Sequence, residues 1–248
     1  MNALLAELIK LKRSLSWPVV VLLPLALVVS AVVNTLVSGQ PLEDGWATLW
    51  LRSLVFGGLF PLALGVGTLA SLVWRVEHRG NNWNVLMSGP TPTWRIVVAK
   101  GIVVAGLSAA MQVLLHLAVL VMGEVLGLPG GMPVAYLGIS ALIMIACVPL
   151  AVLQSGLSMV LRSFAAPIAV ALVGSGISIM LLMAGLDAAL VSPYGLFSRT
   201  TQLGTGTFLD DGSTSAIDVV MILSLSVGLT AGLLAATTWF INRRDTHA

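Results

Sequence analysis

The chain has 248 residues, of which 58% are hydrophobic and only 9% charged, with a mean hydropathy of +1.02. Soluble domains carry about a quarter charged residues, so the composition excludes a water-soluble globular protein and places the chain in lipid. The net charge of +2 comes from scattered Lys and Arg without the clustered basic face that nucleic acid requires, and the single Cys147 can form neither an intramolecular disulfide nor a CxxC metal site.

At the start, Leu4, Leu5, Leu8, Ile9 and Leu11 fall near helical spacing, with Glu7, Lys10, Lys12 and Arg13 on the opposite side. That pattern predicts a short amphipathic helix in the membrane interface. The basic residues follow the first apolar positions and no small-residue cleavage site closes the next run, so the segment is expected to stay in the mature protein. Six runs long enough to span a bilayer follow, at about 17–37, 51–74, 96–122, 134–160, 164–186 and 217–240. Pro18 suits a first helical turn, and Pro24 is expected to kink the first span. The fold class is therefore an all-α polytopic membrane protein, with residues 1–248 forming one transmembrane domain and both termini on one side.

Orientation follows from the basic residues. Lys10, Lys12, Arg13, Arg75, Arg79, Arg95, Lys100, Arg162, Arg243 and Arg244 fall on the side of the termini, against Arg52 and Arg199 opposite, so the positive-inside rule makes the termini cytoplasmic. Tryptophan favours the headgroup level, and Trp17, Trp74, Trp94 and Trp239 mark cytoplasmic span ends, with Trp46 and Trp50 near the outer end of the second span. Only Trp83 stands away from a boundary.

The chemistry on offer is sparse. Gly228 and Gly232 form a GxxxG pair, suited to close helix packing inside the chain or at a subunit interface; Gly57, Gly58, Gly65 and Gly67 thin the second span. His116, the one intramembrane histidine, lies roughly 30 Å along its helix, which puts it near the outer leaflet rather than at the midplane sites of secondary transporters. Arg52 and Lys100 are near enough to span ends to snorkel, and Asp218 opens the last span. Ser155 and Ser175 lack the motifs of membrane-protease nucleophiles, and Gly204-Thr-Gly-Thr-Phe lacks the Gly-Lys-Ser/Thr of a phosphate loop, so this chain binds no nucleotide and no metal is expected. In the segment 187–216, Ser192 and Pro193 read as a cap and first-turn proline of a short helix resting at the outer interface. Its Tyr194 and Phe197, with His116, are candidates for an outer cavity or for plain interfacial anchoring.

The basic-side loop after the second span carries Glu77, His78 and Arg79, the amides Asn81 and Asn82, and the apolar Trp83 and Leu86, before Pro90 and Pro92 break it. An aromatic anchor among polar groups suits a protein contact. Together with the basic amphipathic start, the six spans and the long last exterior segment with Pro193-Tyr194, this loop resembles the membrane subunits of ABC-2 type transporters, especially bacitracin-resistance and lantibiotic-immunity permeases. The family pattern is an acid, Asn-Asn, an aromatic or small residue, then Leu, Pro and Lys, matched by Glu77, Asn81-Asn82-Trp83, Leu86, Pro90 and Lys100; Gly80 departs from it.

The resemblance implies a cytoplasmic coupling helix over 77–86 that docks on a separate ATPase. It also implies an N-terminal helix lying along the membrane surface and a second permease, identical or related, across the path. ATP and Mg would sit on two copies of the ATPase, and no cofactor on this chain. The expected function is export of an amphipathic peptide antibiotic or other hydrophobic compound across the bacterial plasma membrane, with no enzymatic activity in this chain. The alternatives are an ATP-independent carrier or channel-like protein, disfavoured by the missing midplane charges, and a complex that senses without exporting.

Overall fold

The computed structural model describes residues 3–39, 42–79, 91–207, 210 and 212–245, without the side chains of Arg13, Arg244 and Asp245. These residues form nine α-helices and no strand: α1 (Ala3–Lys10), α2 (Ser16–Ser38), α3 (Trp46–Leu59), α4 (Pro61–His78), α5 (Thr93–Val125), α6 (Ala135–Val160), α7 (Ala165–Met183), α8 (Pro193–Thr201) and α9 (Ala216–Asp245). Five are long and apolar enough to cross a membrane, or up to six if the bent pair α3–α4 counts as one span.

The run read as one second span over 51–74 is divided between two helices. The chain turns by 52° between α3 and α4, pivoting at Phe60 with φ −133° and ψ −49°. Pro61 is the cause: it disfavours helical backbone in the preceding residue and lacks the N–H that would continue the ladder, and Gly57 and Gly58 weaken the turn before it. By contrast α2 runs unbroken past Pro24.

The bundle is organised around α6. Of its most apolar window 61% is buried, against 11% for α9, which lies at the periphery. The main core joins Trp50, Leu62, Leu69, Met111, Ile143 and Leu150 from α3 to α6. Glycines admit the closest approaches: a methyl on Gly65 would strike Leu23, one on Gly58 would overlap Thr201, and one on Gly123 would overlap the Trp46 ring. At one end α1 packs on α5, while Trp74, Ile96, Val97, Met159 and Ile241 form a second cluster, so the N-terminal helix and the ends of α4, α6 and α9 meet there. This end carries most of the Lys and Arg, and is called the basic end below.

The segment after α7 corrects a second expectation. Rather than resting at a surface, it re-enters the bundle. A 3₁₀ turn, Asp187–Val191, leads down beside α7, where the Ser178 hydroxyl donates to Ser192 Oγ at 3.2 Å and the Tyr194 ring fills the space a side chain on Gly174 would need. Helix α8 then climbs back, with the Ser198 hydroxyl donating to the Gly58 carbonyl at 3.3 Å and eight of its nine residues buried. Gly174 lies nine residues before the end of α7, a descent of roughly 13 Å at 1.5 Å per residue, close to half of a bilayer core. Buried in protein rather than lipid, such a segment can satisfy its backbone groups.

Candidate functional site: an ion-pair ring beneath the N-terminal helix

Glu7 and Lys10 sit three apart on α1 and so share one face of it. Glu77 ends α4, and Lys100 lies seven residues into α5. Folding brings all four together in a closed ring. Lys10 Nζ is 2.6 Å from Glu7 Oε1 and 2.6 Å from Glu77 Oε1, and Lys100 Nζ is 2.7 Å from Glu7 Oε2 and 3.0 Å from Glu77 Oε2. Three of these contacts are directed hydrogen bonds; the fourth is a close ion pair of poorer angle.

Burial gives the ring its character. Lys100 is 0% exposed, Glu77 3% and Glu7 7%. An unpaired charge so placed would be prohibitive, whereas two carboxylates bridging two ammoniums sum to zero and satisfy one another. Lys100 also donates to the Val73 carbonyl at 3.2 Å and lies 4.6 Å from the centroid of the Trp74 ring, a cation–π contact. The Trp74 indole N–H in turn donates to Ser155 Oγ on α6 at 2.9 Å. The ring thus fastens α1 to α4 and α5, and through Trp74 to α6. For Lys10, at the open edge, burial pulls the pKa down, but hydrogen bonds and charges from Glu7 and Glu77 outweigh it and raise the ammonium above its ordinary value.

These placements sharpen several expectations. Glu7 turns inward while Leu5, Leu8 and Ile9 face outward, so α1 is amphipathic in the sense proper to lipid, with charge inside and hydrocarbon outside. Lys100 does not snorkel to water; it is fully enclosed. Glu77 lies in the last turn of α4 and is buried in the bundle. His78 Nε2 is 2.7 Å from the Ser158 carbonyl oxygen, and Arg79 is exposed where α4 ends. Asn81, Asn82, Trp83 and Leu86 lie outside the described residues, as does the Arg13 side chain; Lys12 is exposed. Trp17, Trp94 and Trp239 are half-exposed, as an aromatic belt requires, but Trp46, Trp50 and Trp74 are buried packing residues.

The other candidates have separate partners. His116 Nδ1 is 2.9 Å from Ser140 Oγ, and its ring meets the edge of Trp50, which stacks on Tyr136 with centroids 4.6 Å apart. Tyr194 Oη accepts from Gln154 Nε2 at 2.7 Å, and Phe197 is enclosed in the core. Gly228 and Gly232 have nothing within 4 Å of where a side chain would begin. Asp218 caps its own helix, accepting from the Ser215 N–H and hydroxyl at 3.0 and 2.6 Å. Among the described residues no group of three or more His, Cys, Asp or Glu could hold a metal ion.

The sequence reading missed Lys100 as a partner for Glu7 and Glu77. The available signal was two opposite charges, Glu77 and Lys100, each within about two turns of the same end of adjacent spans. A family model described as ABC-2 family transporter protein matches residues 3–178, from α1 into α7, the whole ring included. No curated protein and no solved structure matches the chain.

Proposed function

The chain belongs to the ABC-2 transporter family, and from that premise we propose that it is the membrane-spanning permease subunit of an ATP-driven exporter. ATP and Mg are handled by two copies of a separate ATPase, and a second permease, identical or related, completes the assembly. The gathering of Lys10, Lys12, Arg75, Arg79, Lys100 and Arg162 at one end supports a cytoplasmic basic end, with both termini there, in a bacterial plasma membrane. The apolar character of the spans favours an amphipathic or hydrophobic cargo, and the resemblance to immunity permeases favours a peptide antibiotic.

One observation carries the mechanism. The ring joins the helix that enters the 79–92 loop to the helix that leaves it, and ties α1 across both. A push on the loop from a closing ATPase therefore moves α1, the end of α4 and the start of α5 as one body, the rigid-body kind of switching. Glu77 acts in this scheme as a brace for the loop, while Asn81, Asn82, Trp83 and Leu86 make the ATPase contact, with His78 and Arg79 at its edge.

The test is co-purification with the ATPase from the neighbouring reading frame. Trp83→Ala with Leu86→Ala is expected to reduce ATPase retention at least about thirtyfold, as loss of a hot spot of about 2 kcal/mol does, and to leave the permease's melting temperature unchanged. Undiminished retention, or a wild-type permease that never holds an ATPase, would sink the proposal. Export is separated from sensing by labelled-peptide accumulation in cells with and without the complex; equal accumulation favours a sensor.

A further inference from the structure

At the basic end, α4, α6 and α7 line a cavity of about 210 Å³ beside the ring's own recess. Arg75, Arg79 and Arg162 line it, and among the described residues no Asp or Glu does. Among the described residues none of the three arginines is in an ion pair. Ser71 and Ser158 also line it, 4% and 2% exposed as residues, and the buried Oγ of each has no hydrogen-bond partner among the described residues. Buried hydroxyls without partners are uncommon and call for an explanation. Here they adjoin concentrated positive charge.

We infer that this cavity binds the phosphate of an anionic phospholipid headgroup. Arginine forks suit phosphate oxygens, which accept paired N–H bonds, and basic pockets between spans are established headgroup sites. Helix α7 begins beside the cavity with no side-chain cap on its first turn, adding partial positive charge there. The end of α6 opposes with its carbonyls, but a helix end amounts to about half a charge, against three full ones. The neighbouring recess of about 190 Å³ shares Arg75 and Arg79 and is also lined by Lys10, but Glu7 lines it too, so it carries less net positive charge than the cavity.

A lipid, rather than free phosphate, is favoured by what lies above the cavity. Phe164 and Pro167 line its lip, and Phe164 is 43% exposed, with Arg75 5.6 Å from its ring centroid. From there Val170, Val173, Ile177 and Met180 continue as an exposed apolar stripe along α7, a track for an acyl chain whose phosphate sits among the arginines. The inference rests on the membrane placement of the chain alone and needs neither the ATPase nor the orientation.

Native mass spectrometry of the full chain in a neutral detergent tests it, with phosphatidylglycerol, phosphatidylcholine or inorganic phosphate added separately. Phosphatidylglycerol is expected to bind preferentially. Arg79→Gln with Arg162→Gln, both exposed and so tolerated by the fold, should weaken it roughly tenfold or more. Arg243→Gln, at the same end but outside the cavity, should bind like wild type. Ser158→Ala, which changes no charge, should weaken binding severalfold. Equal binding of phosphatidylcholine, full retention of phosphatidylglycerol by both cavity variants, or inorganic phosphate binding as tightly as the lipid would each overturn the assignment.

Discussion

Lys100 has no water to fall back on, and that decides how the ring responds to substitution. Lys100→Met leaves two buried carboxylates with only Lys10 between them, and breaking a buried ion pair from one side costs about 3–5 kcal/mol. Lys10→Met also leaves two carboxylates facing one ammonium, but Lys10 stands about a third exposed, so water reaching its place should hold the cost to about 1–3 kcal/mol, below that of Lys100→Met. Thermal melting of the two purified variants checks the contrast, and negligible losses in both would mean that the ring does not organise this end. The raised pKa of Lys10 means its contribution is complete below 10.5 and fades only as pH climbs through the higher folded value. The Lys10 bonds should therefore be insensitive to pH across the neutral range. In the sequence Glu77 read as part of a polar loop and Lys100 as a snorkelling side chain. What turned both inward is the position of α1, which brings Glu7 between them, and hydropathy along a single strand of sequence holds no record of that approach.

Among elements, the re-entrant segment depends on a contact with no slack. A methyl on Gly195 would overlap the carbonyl oxygen of Ala189, which belongs to the descending turn, and backbone cannot rotate aside as a side chain can. Gly195→Ala should therefore destabilise by about 1–3 kcal/mol, the usual cost of overpacking. Gly228→Ala, with open space around it, should stay within about 0.5 kcal/mol of wild type. A melting series would show the difference, and a neutral Gly195→Ala would mean that α8 does not pack as described. The long apolar helices were legible, because a run of about 20 apolar residues has few other places to go: the helix Ala135–Val160 covers the run read at 134–160, and Ser16–Ser38 the run at 17–37. The break at Pro61 was written in Gly57-Gly58 and the proline, but continuous hydropathy hid it. Helix α8 was legible as a helix from Ser192-Pro193, but not as a buried one. Its Ser, Thr and Gly content imitates a solvated loop, whereas the Tyr194–Gln154 and Ser198–Gly58 bonds and the Thr200 and Thr201 bonds to helix carbonyls show that the polarity is satisfied inside.

At the scale of the whole molecule, α9 is the element whose packing within the chain is least complete. Ser224, Gly228, Gly232 and Ala236 recur at every fourth position and are all exposed, so the backbone is open along one face for about three turns. Lipid chains can cover such a face, but a second helix gains more from it, since small residues let two backbones approach until dispersion and weak polar contacts add up. In the proposed two-permease assembly this face is the proposed subunit interface. Gly228→Leu with Gly232→Leu is then expected to leave the melting temperature of the isolated chain near wild type, because no neighbour within the chain is displaced. The same pair should lower the mass measured by light scattering in detergent from two permeases to one. Persistence of the dimer would move the interface to another surface and leave α9 as a lipid-facing helix, with its glycines reduced to a packing preference that nothing uses.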